Sequence, residues 1–287
     1  MTDLSNMNLS NTNFKWNDLR DADLSGSDLS GSDLTGADLR GANLSGAILE
    51  DATLVNAMMR GVTLDGANMS GVRIVNCDVS GSSLIGVVLA GANCDLSNLS
   101  NCNLNNADFS LARAVNTDFS DSLLNHSNFS EATLSSAHFT ETTMAGAILR
   151  GASLEYADFM GANLRAADLS ETNLSLAIMA QTDLSEALLL DADLTGVDLS
   201  HANLTEADLS GADLTNTALP DMIDETHFYI SHAMCHEQSI TRNHSAYFSA
   251  HVLVTDDGPD HYRPIMADSL SGIIRFIESV LHVGVSA

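Results

Sequence analysis

The residues best suited to chemistry crowd into the last quarter of this 287-residue chain. His227, His232, Cys235 and His236 lie close together, with Glu237 beside them and His244 and His251 downstream. Such a set suggests a transition-metal site or a cysteine–histidine nucleophile pair. Its spacing matches neither a zinc pattern nor a family-specific cysteine signature. One cysteine next to a histidine is ordinary in a histidine-rich segment, so no catalytic residue, metal ligand or cofactor is assigned. The 38 acids give no defined catalytic pair, and the sequence holds no glycine-rich phosphate loop, nucleophile elbow or dinucleotide fingerprint. Against 11 Lys+Arg they leave a formal net charge of −27, which excludes binding to nucleic-acid backbones or anionic membranes by general electrostatics. No enzyme is expected.

The elements that must carry these residues follow from a period of five. From Leu4 to Leu219 every fifth residue is apolar, forty-four times without a slip, the smallest occupants being Cys94 and Ala114. Two residues before each of these centres stands Ala, Ser, Thr, Cys or Val, with Met7 and Asn17 the only exceptions. A helix turns ~500° in five residues and would scatter the centres around its axis. A straight strand would point successive centres to opposite faces. The chain must therefore bend once per unit, and four bends close a square of twenty residues whose stacked copies pair as parallel strands. The glycines fit this scheme, since the 16 that lie within the repeats all fall at the fifth position. The three prolines, Pro220, Pro259 and Pro264, fall in or beyond the last unit.

The units read Ala207-Asp208-Leu209-Ser210-Gly211 and Ala212-Asp213-Leu214-Thr215-Asn216 late in the chain. This pattern over residues 2–221 resembles the pentapeptide-repeat family, written A(D/N)LXX. The resemblance implies an all-β fold, a right-handed quadrilateral parallel β-helix. Forty-four units make about 11 coils, a rod of ~53 Å at the usual strand spacing. Phe119, Phe139 and Phe159, twenty residues apart, are expected to stack on one inner face, and Phe109 and Phe129 on another. Cys77, Cys94 and Cys102 take inward positions as small buried residues.

After Pro220 the period stops. Residues 222–287 form a second segment, in which Asp268 followed by Leu270, Ile273, Ile274, Ile277 and Leu281 predicts an amphipathic helix ending near Gly284. A solenoid end exposes strand edges and core, so this segment is expected to cap the last coil, with homodimerisation through it the alternative. At the other end Met7, Trp16 and Asn17 are expected to plug the first coil. No basic stretch followed by an apolar one appears after Met1, and no apolar run reaches ~18 residues. A cytoplasmic location is the expectation, with non-classical secretion left open.

Function then rests on the outer surface. Residues 118–221 carry seventeen acids and two bases, close to ~0.6 charge per Å of rod, comparable to duplex DNA. The pentapeptide-repeat resemblance implies one use for this, because members that protect DNA gyrase from quinolones look like DNA in shape and charge. Asp118, Asp158, Asp183, Asp193 and Asp198 are the acids expected to serve it. Outward apolar residues offer another use. Val55, Val75 and Val115 share one column and Ile48, Val88, Ile148 and Leu188 another, while Leu96, Tyr156 and Leu176 share a corner. The leading expectation is a non-enzymatic protein–protein interaction scaffold. A DNA mimic that binds gyrase or another topoisomerase is the alternative, and a secreted bacterial effector a further one.

Overall fold

Each five-residue unit spends one residue on the ladder, two on the interior and two on the bend. In the computed structural model, which describes residues 2–220, Phe248–His251 and Pro264–Ala267, parallel bridges join each second-position residue to the one twenty further on. They run from Asp3–Asp23 to Asp198–Ala218. The bonding alternates in direction. The centre Leu164 donates its N–H forward to the Asp183 carbonyl at 2.7 Å, and the second-position Asp183 donates back to Ala162 at 2.9 Å. A coil of twenty residues is thus stitched to both neighbours, giving a four-sided parallel β-solenoid.

The bend is a left-handed residue. Of the 43 fifth positions from Asn6 to Asn216, 42 have positive φ, sixteen of them glycine and most of the rest Asn, Asp or Glu; His201 is the exception. Glycine adopts this conformation without steric cost, and Asn or Asp tolerates it better than other residues. The turn is closed by the next inward residue, as where Ala37 donates to the Leu34 carbonyl at 3.0 Å. Beside His201 the Ile178–Asp198 bridge is kept, with looser hydrogen-bond geometry than its equivalents one coil earlier.

The interior is one continuous apolar column running from Phe14 to Leu214. Phe119, Phe139 and Phe159 stack at centroid separations of 4.9 and 4.8 Å, and Phe109 on Phe129 at 4.7 Å, as the twenty-residue spacing predicts. The two ladders also meet edge to face at 5.6–5.9 Å. Inward hydroxyls are all accounted for. Thr117, Ser122, Thr182 and Thr217 reach back to the carbonyl of a centre in the preceding coil at 2.8–2.9 Å, and no buried side-chain polar atom among the described residues lacks a partner.

Trp16 does not plug the first coil, since it is 71% exposed. Met7 and Asn17 hold inward positions of the first coil but are exposed there, and Leu4 and Leu9 remain only partly buried. Trp16 occupies a fifth position, so its ring lies outside the coil, over the corner at Gly36. In the tail, β1 (Phe248–His251) pairs antiparallel with β2 (Pro264–Ala267), with Phe248 opposite Ala267. The expected helix near 268–284 and the His227–Cys235–His236 group lie outside the described residues.

Candidate interaction surface

The outward Asp and Asn side chains do more than face water. Their Oδ1 accepts the backbone N–H two residues on, closing an Asx turn at the corner. Asp23 accepts from Ser25 at 3.0 Å, Asn43 from Ser45 at 3.1 Å and Asp213 from Thr215 at 2.9 Å. The five acids singled out from the sequence share this role. Asp118 accepts from Ser120, Asp158 from Met160, Asp193 from Thr195 and Asp198 from Ser200, each at 2.9 Å, and Asp183 from Ser185 at 3.0 Å. One carboxylate oxygen serves the fold while the other is left to the surface. Ser200 holds the Asp198 carboxyl below the usual range through its hydroxyl and its N–H.

At three units whose second position lacks such an acceptor, the coil before supplies one. Asp65 takes the Ile85 N–H at 2.9 Å beyond Ser83, Asp95 takes Val115 at 2.8 Å beyond Arg113, and Asn125 takes Ala145 at 3.0 Å beyond Thr143. These acceptors were not legible as functional in the sequence, since they sit at fourth positions and act on a residue twenty away.

The structure distributes the predicted acids over three faces. Asp118, Asp158 and Asp198 share one, in the order Asp118–His138–Asp158–Ile178–Asp198, whereas Asp183 and Asp193 lie on the two adjoining faces. The three aspartates are therefore separated by a histidine and an isoleucine, and no unbroken acidic column forms. Bases answer acids mainly in the early coils. Arg20 pairs with Asp18 at 2.6 Å and reaches Asp38, Arg40 pairs with Asp38 at 2.6 Å, and Lys15 with Asp33 at 2.9 Å. The Arg20 side chain, aided by its own N–H, draws the Asp18 carboxyl down to about 2. In the later coils Arg150 pairs with Glu171 and Arg165 with Glu186.

The apolar columns are also interrupted. Val55 and Val75 are half-buried neighbours, but Asp95 precedes Val115 in the same column. Ile148 is exposed, and Asp168 separates it from Leu188, as Asn128 and Asp108 separate it from Val88. The three buried thiols offer no chemistry of their own. Burial pushes Cys77 up to about 12 and Cys102 to about 11, and raises Cys94 as well, so all stay protonated and unreactive at neutral pH. Among the described residues no cluster of three or more His, Cys, Asp or Glu is placed to hold a metal ion.

The sequence profile described as "Pentapeptide repeats (8 copies)" matches residues 2–36, 37–74, 82–125, 117–155, 127–165, 157–196 and 177–216. The chain belongs to the pentapeptide-repeat family. No curated protein matches. Among solved structures it is similar to HetL of the cyanobacterium Nostoc sp. strain PCC 7120, a pentapeptide repeat protein involved in heterocyst differentiation regulation. Identity is 30%, over 78% of this chain and 89% of that one, with a TM-score of 0.32. It is also similar to QnrB1, a plasmid-mediated fluoroquinolone resistance protein, at 19% identity over 61% of this chain and 89% of that one, TM-score 0.36. A pentapeptide repeat protein of the Arabidopsis thaliana thylakoid lumen matches at 30% identity over 37% of this chain and 67% of that one, TM-score 0.24.

Proposed function

We propose that this protein is a non-enzymatic interaction scaffold, a right-handed rod of eleven coils that presents fixed columns of side chains to a protein partner. The observation that carries this reading is the ladder itself. From Asp23 to Ala218 each second-position residue is bridged to the one twenty residues before it, and up to Asp198 the inward residues on either side of it bond the coil that follows, so the surface is ordered before any partner arrives. Binding to such a surface loses little conformational entropy on the rod's side. The test is capture of partners by the immobilised full chain. A scaffold that uses its apolar columns loses the captured protein on Val75→Lys or Ile148→Lys and keeps it in high salt. Indifference to both substitutions would remove those columns from the reading.

Mimicry of DNA is the second reading, and the density of acids in residues 118–221 favours it. A mimic binds a basic saddle through long-range attraction, so its effect falls steeply with salt and with joint neutralisation of Asp118, Asp158, Asp183, Asp193 and Asp198 to Asn. Inhibition of DNA gyrase supercoiling, measured across a salt series, decides this. No inhibition by micromolar wild-type chain would count against gyrase as the target. In either reading residues 222–287 close the far end of the rod or join two copies. A chain ending at 221 that kept the solubility, stability and oligomeric state of the full one would exclude both roles.

A further inference from the structure

In the acid-rich later coils one region of the surface is apolar. Tyr156 and Leu176 occupy the same corner in successive coils and are 59% and 49% exposed; Ile178, two residues past Leu176, is 50% exposed, and Met160, across Asp158 from Tyr156, is 42% exposed. The Asp158–Ile178 bridge sets these residues side by side, so the four surround Asp158 on two adjacent coils, a patch of ~5 by ~13 Å. Leu176 lies across the Gly196 corner, which extends the apolar surface onto the next coil.

Three further observations concern the same place. Tyr156 and Leu176 both adopt φ of +59°, a conformation that costs a bulky residue ~1–2 kcal/mol and that glycine would take freely. The fold therefore does not call for these side chains where they stand. The patch is framed by carboxylates, with Asp158 at its centre and Asp198 beyond Ile178. Each uses one oxygen on its Asx bond, and neither forms an ion pair among the described residues. The two bases of these coils, Arg150 and Arg165, flank the opposite face and are engaged by Glu171 and Glu186. Finally, the hydrogen bonds of the Ile178–Asp198 bridge, which runs along this face, are looser than those one coil earlier.

We infer that Tyr156, Met160, Leu176 and Ile178 form a docking site for a basic amphipathic helix of a partner protein, its apolar stripe on these side chains and its lysines or arginines over Asp158 and Asp198. A helix presents apolar residues at i and i+4 about 6 Å apart, which matches one coil spacing plus the lean of the corner side chains. Charge complementarity selects the partner. An acidic or neutral helix would leave the free oxygens of Asp158 and Asp198 facing apolar or negative groups, whereas a basic one pairs them at a partly dry rim. This inference rests on the scaffold reading and assigns it a location.

The probe is a fluorescein-labelled Leu/Lys peptide of helical amphipathic pattern, titrated with the full-length chain by anisotropy. A peptide of the same composition with a scrambled pattern serves as control. Micromolar binding is expected for the patterned peptide and at least tenfold weaker binding for the scrambled one. Joint Leu176→Ser and Ile178→Ser substitution should weaken the patterned peptide at least tenfold, and Ile85→Ser with Leu111→Ser, exposed in earlier coils, less than twofold. Hydrogen exchange on the wild-type chain needs no variant, and amides 176–181 should slow on adding the patterned peptide. Equal affinity for both peptides, equal loss from both variant pairs, or unchanged exchange at 176–181 overturns the site. A natural partner still captured by the Leu176→Ser, Ile178→Ser chain would overturn this site while leaving the scaffold reading intact.

Discussion

The early and late coils share one backbone and differ in what they hang on it. Up to residue 117, eleven corners are glycine, and the ladder aspartates at 18, 33 and 38 are answered by Arg20, Lys15 and Arg40. From 118 onward only five corners are glycine, and Glu131, Glu141, Tyr156, Glu171, Leu176, Glu186 and Glu206 hold the left-handed conformation in their place. A glycine there would relieve backbone strain, so the late coils carry side chains that the fold does not require. Both halves expose large apolar side chains, but the coils up to residue 117 carry 13 acids against six bases and bend more often at glycine. Residues 118–221 carry seventeen acids against two bases.

The core is what both halves have in common, and breaking it should erase the contrast. Leu164 is fully buried, one coil from Met144 and from Leu184, so Leu164→Asp buries an unpaired charge and is expected to cost more than ~4 kcal/mol. Asn163→Asp, on the outside, keeps its bond from Arg165 N–H and should shift the melting temperature by only a degree or two. Equal melting temperatures for the two variants would overturn the inward–outward assignment. Phe139→Ala comes next. It removes the middle ring of a three-ring stack, with an expected loss of about 3–5 kcal/mol in urea unfolding.

The corners sharpen the comparison at a smaller scale. Glu131→Asn keeps a side chain but one suited to positive φ, and should raise stability by about 0.5–1 kcal/mol, whereas Gly91→Val should lower it by more than ~1 kcal/mol. Similar effects of both substitutions would mean that corner conformation is not limiting. Acid titration should separate the halves most gently. Asp18, held down to about 2 by Arg20, and Asp23, held below its usual range by Ser25, bind protons less readily in the folded chain than in the unfolded one. Their contribution is therefore complete above the ordinary carboxylate range near pH 4 and disappears as pH falls toward 2. Asp18 is exposed and Asp23 only partly buried, so the expected signature is a slight fall of melting temperature between pH 4 and pH 2, smaller in Asp18→Asn.

The coil period was legible because nothing but a square accommodates an apolar residue every five positions for forty-four units, and the phenylalanine stacks followed from their spacing of twenty. The surface was less so. Trp16 looked like a plug by its size, while its register, a fifth position, already placed it outside. The Asx bonds are less legible, because an outward acid or amide at the second position can be satisfied by water and nothing in its spacing names the N–H two residues on as its partner. The patch at Tyr156 was missed for another reason. Leu176 and Tyr156 belong to one column, Ile178 to a second and Met160 to a third, so reading each column by itself never joined them.

One consequence of the Asx bond reaches beyond any single site. Asparagine and aspartate offer the same Oδ1 to the same N–H, as Asn43 and Asp23 do in successive coils of one face. At every such position a single change of amide to acid writes one negative charge at a fixed height and angle on the rod while the turn beneath it stays closed. Charge pattern is thereby free to drift, or to be selected, without passing through misfolded intermediates. A lineage of such rods can explore many electrostatic surfaces on one unaltered frame.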